Sequence, residues 1–145
     1  MTNATRRLIL RANGLFLILF GGSGFLLDLR GYFLKEGAQS GLFASAPHTA
    51  IGFVEAHGLA VIIGVLLWRA QPARSWHLTA AAVHVLLGAS NLIFWQIFVA
   101  TKLLALGYIS TSVHWIFVVL HLWAVAGAPR DAKATSAATS RPAAA

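Results

Sequence analysis

The sequence predicts an all-helical membrane protein, a bundle of four transmembrane helices that run alternately up and down. Three observations support this fold class. The 145 residues are 58% hydrophobic and only 10% charged, whereas soluble domains are about 25% charged. The mean hydropathy is +0.74. Four apolar stretches are each long enough to cross a bilayer as a helix, which takes roughly 20 residues.

Composition also excludes several classes of function. The chain contains no cysteine, which removes disulfides, thiolate catalysis and cysteine-ligated metals. The net charge is +7, but the basic residues flank apolar stretches instead of forming one patch, so nucleic acid is not an expected partner. The lipid bilayer is the expected surrounding.

The first predicted span follows two arginines, as a signal peptide would. Its apolar run continues through Gly21-Gly22-Ser23-Gly24 into Phe25 without a clear small-residue cleavage site, so we predict a retained helix. In the second span, small residues recur every fourth position and form a ridge that lets another helix approach closely; these are Gly52, Ala56, Ala60 and Gly64. The predicted spans cover 8–27, 48–68, 75–99 and 108–126, with an external loop at 28–47 and a disordered tail at 129–145.

The distribution of basic residues predicts the orientation in the membrane. With the N-terminus inside, eight Lys and Arg residues fall in inside segments and three in outside segments. Cytoplasmic loops carry the excess of basic residues in membrane proteins. The sequence therefore predicts a multi-pass membrane protein with both termini, and the 129–145 tail, in the cytoplasm; the resemblance given below implies the bacterial inner membrane.

Polar residues in the third and fourth spans share a seven-residue spacing. His77, His84 and Asn91 lie nearly on one face of the third helix, and His114 and His121 repeat the spacing on the fourth. A turn centred near 101–102 would pair Asn91 with His114 and His84 with His121. A turn centred on Val99 would instead pair His77 with His121 and His84 with His114.

Glu55 is the most unusual residue of the second span, because a carboxyl group inside a membrane is costly and is functional or paired in most proteins. The first register places Glu55, Asn91 and His114 in one outer polar layer. This layer either binds a ligand or carries protons, or it is a hydrogen-bonded contact between helices. His57 diverges from Glu55 on the helix, and we expect it to form an interhelical hydrogen bond more than to bind a ligand.

His84 and His121 have three interpretations in the first register. They can be the two axial ligands of a haem b held between helices, with Gly88 making room for the porphyrin. They can bind a metal or pass protons. They can also be neutral packing residues. His77 and His48 are expected to be solvated residues at the membrane surfaces, and Asp28 a solvated helix end.

The first span resembles small bacterial four-span families, broadly DoxX-like. The resemblance rests on Leu10-Arg11-Ala12-Asn13-Gly14-Leu15-Phe16 and on Gly21-Gly22-Ser23-Gly24-Phe25-Leu26-Leu27. Such families begin with a basic residue, an apolar run and a glycine-containing break before an external loop. Some of their members are accessory subunits of membrane oxidoreductases. The resemblance implies no role for an individual residue.

Four functions follow from these features. The favoured one is a non-enzymatic protein that binds a small amphiphile or joins a larger membrane complex, since no complete catalytic motif occurs. The ridge could also support a homodimer. The alternatives are a haem b electron carrier using His84 and His121, a proton-coupled transporter using Glu55, and an enzyme acting on a lipid or quinone with Glu55 and His114 as an acid–base pair.

Overall fold

A computed structural model describes residues 1–128, and their regular structure is entirely helical. The elements are α1 (Asn3–Leu29), a π-helical turn (Arg30–Leu34), α2 (Ser40–Ser45), α3 (Thr49–Arg69), α4 (Arg74–Ile93), α5 (Trp95–Ala100) and α6 (Leu104–Ala126). Four helical stretches are long and apolar enough to cross a membrane: α1 with its π-helical turn, α3, α4 and α6. This confirms an all-helical chain with four candidate spans. The predicted tail at 129–145 lies outside the described residues.

The helix limits differ from the predicted ones at two places. The third span ends at Ile93 rather than near 99, because Phe94 leaves the helical region with φ −101° and ψ 31° before α5 begins. The 28–47 segment is mostly helical rather than an open loop. Its only left-handed residues are Lys35 and Gly37, with φ 59° and 95°, and they separate the π-helical turn from α2.

α1 and α3 form the first helix pair, and glycines set its spacing. A Cβ on Gly14 would lie 2.7 Å from the carbonyl oxygen of Gly64, so the two backbones touch. Further along, Gly21 lies against His57 and Ala60. Residue numbers rise on α1 while they fall on α3, so the contacts run in opposite directions along the two helices. Small residues permit this close approach. Of the predicted ridge, Ala60 and Gly64 meet α1, whereas Gly52 and Ala56 are exposed.

α4 and α6 form the second pair, and its register follows the polar side chains. His77 bonds to His121, His84 bonds to His114, and Asn91 bonds to Ser110. This arrangement confirms the register centred on Val99. It corrects the register centred near 101–102, on which the predicted polar layers rest and which pairs His84 with His121 and Asn91 with His114.

The two pairs meet along α1. Leu10, Leu17, Leu67 and Ala80 form the apolar core between α1, α3 and α4. Met1 contacts Gly127 and Arg7 bonds to Gln71, so the start of α1, the α3–α4 connection and the end of α6 share one end of the molecule, here called the Arg6 end. Large apolar side chains cover the outer faces of all four spans, as a lipid environment requires.

Candidate functional site

Five buried side chains form one continuous hydrogen-bonded chain through the middle of the molecule. The His77 Nδ1 lies 2.9 Å from the His121 Nδ1, and the His121 Nε2 lies 2.9 Å from the Asn13 Oδ1. The Asn13 Nδ2 lies 2.6 Å from the His84 Nε2, and the His84 Nδ1 lies 2.8 Å from the His114 Nδ1. We call this series His77–His121–Asn13–His84–His114 the histidine–asparagine chain.

Three helices supply the histidine–asparagine chain. α4 and α6 each contribute two histidines one seven-residue step apart, and α1 contributes Asn13. Four of the five side chains are fully buried, and His114 is 9% exposed. Aromatic rings form one wall, where the His84 ring stacks on Phe117 at 5.0 Å and Phe16 meets His114 edge-on. The histidine–asparagine chain therefore lies in an apolar, water-excluding setting.

The Asn13 amide determines where each imidazole of the chain carries its hydrogen. Its carbonyl oxygen only accepts, so the His121 Nε2 must donate to it, and the His121 Nδ1 must then accept from His77. Its amide nitrogen donates to the His84 Nε2, so the His84 Nδ1 must donate to His114. With all four rings neutral, every N–H in the series points from His77 toward His114.

Further polar groups lie beyond the His114 end of the histidine–asparagine chain. Past His114, the Thr111 hydroxyl is buried without a partner among the described residues, and Ser110 bonds to Asn91 at 3.1 Å. At the other end, the His77 Nε2 is buried and likewise has no partner in residues 1–128. From His77 to Asn91 the polar groups span 14 residues of α4, about 21 Å at about 1.5 Å per residue. That is most of a hydrocarbon core about 30 Å thick.

The predicted outer layer of Glu55, Asn91 and His114 does not form. Glu55 is exposed on α3, among lipid-facing residues such as Ile51 and Leu59. The reason is rotational: Glu55 lies nine residues from Gly64, half a revolution around the helix, and Gly64 is the residue that faces α1. Asn91 is half-buried and bonds to Ser110, which lies one turn away from His114 on α6.

Of four other polar residues, His77 and Asp28 differ from expectation, and His57 and His48 agree with it. His77 is fully buried rather than solvated, because the register brings it onto His121. Asp28 is also fully buried, and its carboxylate accepts a 2.6 Å bond from the His57 Nδ1. His57 thus makes an interhelical bond between α1 and α3. His48 is exposed at the start of α3.

The surroundings of His84 and His121 do not fit a haem. An iron between them would need both Nε2 atoms free and facing each other across a porphyrin. Here both Nε2 atoms are on the Asn13 amide, and the rings are stacked at 6.3 Å with a 17° angle between their planes. The space beside Gly88 holds the side chains of Trp115 and His114.

Asn13 is the functional candidate that sequence reasoning missed. It lies near the start of the first span, and the sequence pattern assigns it no partner. The available signal was simply that an amide within an apolar helix must find a hydrogen-bonding group in protein. Which group it finds depends on the contact of α1 with α4 and α6, since His84 and His121 are 71 and 108 residues away.

Two further observations complete the description. Within residues 1–128, no three His, Asp or Glu side chains are arranged to hold a metal ion. Comparison of the chain with protein-family models, curated proteins and solved structures gives no match. The DoxX-like resemblance of the first helix therefore stays a prediction.

Proposed function

We propose that this protein passes protons within a membrane along the histidine–asparagine chain. The observation that carries the proposal is the unbroken hydrogen-bonded series of four buried imidazoles and one amide. We place the protein in a bacterial inner membrane as an up-down-up-down bundle. The Arg6 end faces the cytoplasm, in keeping with the positive-inside bias.

Imidazole suits this task because one ring nitrogen can accept a proton while the other donates one. Ionisable groups inside membranes are costly, and chains of histidine and carboxyl groups mark proton paths in pumps and transporters. A proton that reaches the free Nε2 of His77 allows the Nδ1 hydrogen to move to His121. The same exchange between His84 and His114 releases a proton from the far Nε2 of His114.

Asn13 separates these two histidine pairs. For a proton to cross, the His121 Nε2 passes its hydrogen to the Asn13 carbonyl oxygen while the amide nitrogen passes one of its own to the His84 Nε2, which leaves Asn13 as the imidic acid. Return of the O–H hydrogen to the nitrogen restores the amide, which then no longer matches either neighbour. A half-turn of the amide exchanges its oxygen and nitrogen and restores both hydrogen bonds. Asn13 therefore makes transfer between the pairs a gated step rather than a free one.

Proton flux into liposomes that contain the full-length protein and a pH-sensitive dye tests the proposal. An imposed pH gradient should collapse faster than in protein-free liposomes. His84→Gln keeps hydrogen-bonding groups but cannot titrate, so it should lower the flux at least tenfold. Glu55→Gln is the matched control, because this side chain lies outside the histidine–asparagine chain, and its flux should equal that of wild type.

Two results would contradict the proton path. One is a wild-type flux no greater than that of protein-free liposomes. The other is a His84→Gln flux equal to that of wild type. If Glu55→Gln alone abolishes the flux, the protons pass by the carboxyl group of α3, as the transporter hypothesis from the sequence holds.

A second candidate function is the binding of a small amphiphile, and a groove favours it. The groove has a volume of about 430 Å³, within the range of ligand pockets. Its walls are mostly apolar, from Leu29, Phe33 and Ile51, while Tyr32 and His48 supply polar groups. Such a lining suits an apolar tail with a hydrogen-bonding head. Association with a larger membrane complex stays a prediction.

Mass spectrometry of the purified protein in detergent checks this second candidate. A co-purifying amphiphile should be retained by wild type and lost from Ala50→Trp, which fills the groove. Retention by both proteins, or by neither, would argue against the groove as its site.

A further inference from the structure

A cavity at the Arg6 end is lined by basic and hydrogen-bonding groups. Its volume is about 540 Å³, and Asn3 and Arg6 of α1 face Arg74 and Ser75 of α4 across it. Leu78 and Ala128 close its sides. The cavity is separate from the histidine–asparagine chain, although His77 lies next to Leu78 on α4.

Arg6 is the unusual residue of this cavity. It is only 3% exposed, its Nε is buried without a partner among the described residues, and its Nη1 makes a 3.3 Å bond to the Asn3 Oδ1. The neighbouring arginines are exposed and engaged: Arg7 bonds to Gln71 at 2.9 Å, and Arg11 lies over the Trp68 ring. A buried guanidinium without an opposite charge is strongly unfavourable.

The described part of the chain offers Arg6 no carboxylate. The sequence contains four acidic residues. Asp28 pairs with His57, Glu36 pairs with Arg30, and Glu55 lies on the outer face of α3. The fourth, Asp131, lies beyond residue 128. The positive charge of Arg6 is therefore uncompensated within the described residues.

The first turn of α4 adds a second attraction for an anion. Ala73 precedes the helix and supplies no side-chain cap, and no acidic residue occurs in the first turn of this 20-residue helix. The backbone N–H groups at a helix start are unpaired, and the helix dipole places partial positive charge there. Anions bind at such positions, and Ser75 brings a hydroxyl donor to the same place.

We propose that this cavity binds a phosphate group, carried either by a soluble phosphate compound or by the headgroup of a membrane lipid. The planar guanidinium of Arg6 can hold two phosphate oxygens at once. Arg74 supplies a second positive charge, and the start of α4 supplies backbone donors. The proposal does not require proton transfer, since none of these groups belongs to the histidine–asparagine chain, although the positive charge of Arg6 acts on His77 at its end.

Calorimetric titration of the full-length protein in detergent with inorganic phosphate, at constant ionic strength, tests the site. Wild type should bind one phosphate, Arg6→Gln should weaken the affinity at least tenfold, and Arg6→Lys should give an intermediate loss. Arg7→Gln is the matched control, one residue away but exposed, and should change the affinity less than twofold. Equal affinities for wild type and Arg6→Gln would overturn the proposal.

A thermal-unfolding measurement covers the case in which Arg6→Gln does not fold. Phosphate should raise the Tm of wild type relative to chloride at the same ionic strength, and Arg74→Gln, whose side chain is exposed, should reduce that rise by half or more. An equal Tm in both salts for wild type would overturn the proposal. Phosphate binding that occurs only after Asp131→Asn would also overturn it, because the chain's own carboxylate would then be the occupant.

Nanodiscs distinguish the two phosphate sources. A lipid headgroup at the site predicts one phosphatidylglycerol molecule retained per protein in native mass spectrometry, lost in Arg6→Gln, with inorganic phosphate excluded. A soluble phosphate compound predicts equal phosphate affinity in phosphatidylglycerol and phosphatidylcholine nanodiscs, with no retained lipid. Either outcome supports the site. The absence of both a retained lipid and phosphate binding would contradict it.

Discussion

The two helix pairs are held together by different kinds of contact. Between α1 and α3 the closest contacts are backbone to backbone, at Gly14 and Gly64. Between α4 and α6 the closest contacts are between imidazoles, at 2.8 and 2.9 Å. Lipid is as apolar as the side chains it surrounds, so helices in a membrane associate through close packing or through polar groups. This molecule uses one solution in each pair.

The two helix pairs also have different roles, one in packing and the other in chemistry. The glycine contact of the first pair has no group that can bind or transfer anything, and its role is to hold α1 against α3. That contact fixes the rotation of α1 and so directs Asn13 toward the second pair, where it bonds to His84 and His121. The packed pair thus supplies the residue that completes the polar series of the other.

The largest expected effect is at the backbone contact of the first pair. In Gly64→Leu, the new Cβ would meet the Gly14 carbonyl oxygen at 2.8 Å and the Ile18 nitrogen at 2.9 Å. Neither atom can move without displacing α1, so we expect a destabilisation of about 3 kcal/mol or more and a large loss of monodisperse protein in gel filtration. Gly52→Leu is the control, because no atom lies within 4 Å of its Cβ position; equal losses would contradict the contact.

A smaller effect is expected where the two pairs join. Asn13→Leu has a similar volume but leaves the Nε2 atoms of His84 and His121 without their partner. Each buried group left unpaired costs about 1–3 kcal/mol, and hydrogen bonds between membrane helices average about 0.6 kcal/mol. We therefore expect a loss of about 1–3 kcal/mol in detergent unfolding, with the protein still folded.

The Asn13→Leu variant also distinguishes a structural role of the Asn13 amide from its role in proton transfer between the histidine pairs. Asn91→Leu is its control, because this half-buried amide bonds only to Ser110. The loss of stability in Asn91→Leu should be smaller than in Asn13→Leu. If Asn13→Leu is as stable as wild type, the amide does not join the two pairs. Proton flux in the same variant should fall to the level of His84→Gln.

The sequence predicts depth in the membrane better than direction around a helix. Counting from a turn near 101–102, on which the predicted polar layers rest, mispairs His84 with His121, whereas the alternative turn at Val99 gives the observed pairs of His77 with His121 and His84 with His114. In both registers the seven-residue step keeps the histidines of each helix on one face. Glu55 was aligned with Asn91 by counting from the connection between the second and third spans, but its direction depends on which face of α3 meets α1. That is known only once Gly64 is seen against Gly14.

Burial of Arg6, Asp28 and Asn13 was beyond local sequence reasoning for a related reason. Each lies on α1, near the start, the end or the middle of a long apolar run. Their burial comes from partners far along the chain, such as His57 for Asp28 and His84 for Asn13. A first span is read most easily as an anchor or a signal, whereas here it carries three of the buried polar groups.

The uniform direction of the N–H groups in the histidine–asparagine chain has an electrical consequence. Five side chains whose bond dipoles point the same way, from His77 toward His114, form a row that crosses about 10 Å of the membrane at about 1.5 Å per residue. Moving one charge across a full membrane changes its energy by about 2.3 kcal/mol per 100 mV. For one proton that moves over one third of a core about 30 Å thick, the energy changes by about 0.8 kcal/mol per 100 mV. A membrane voltage is thus expected to favour one of the two orientations of the row, and the Asn13 amide with it.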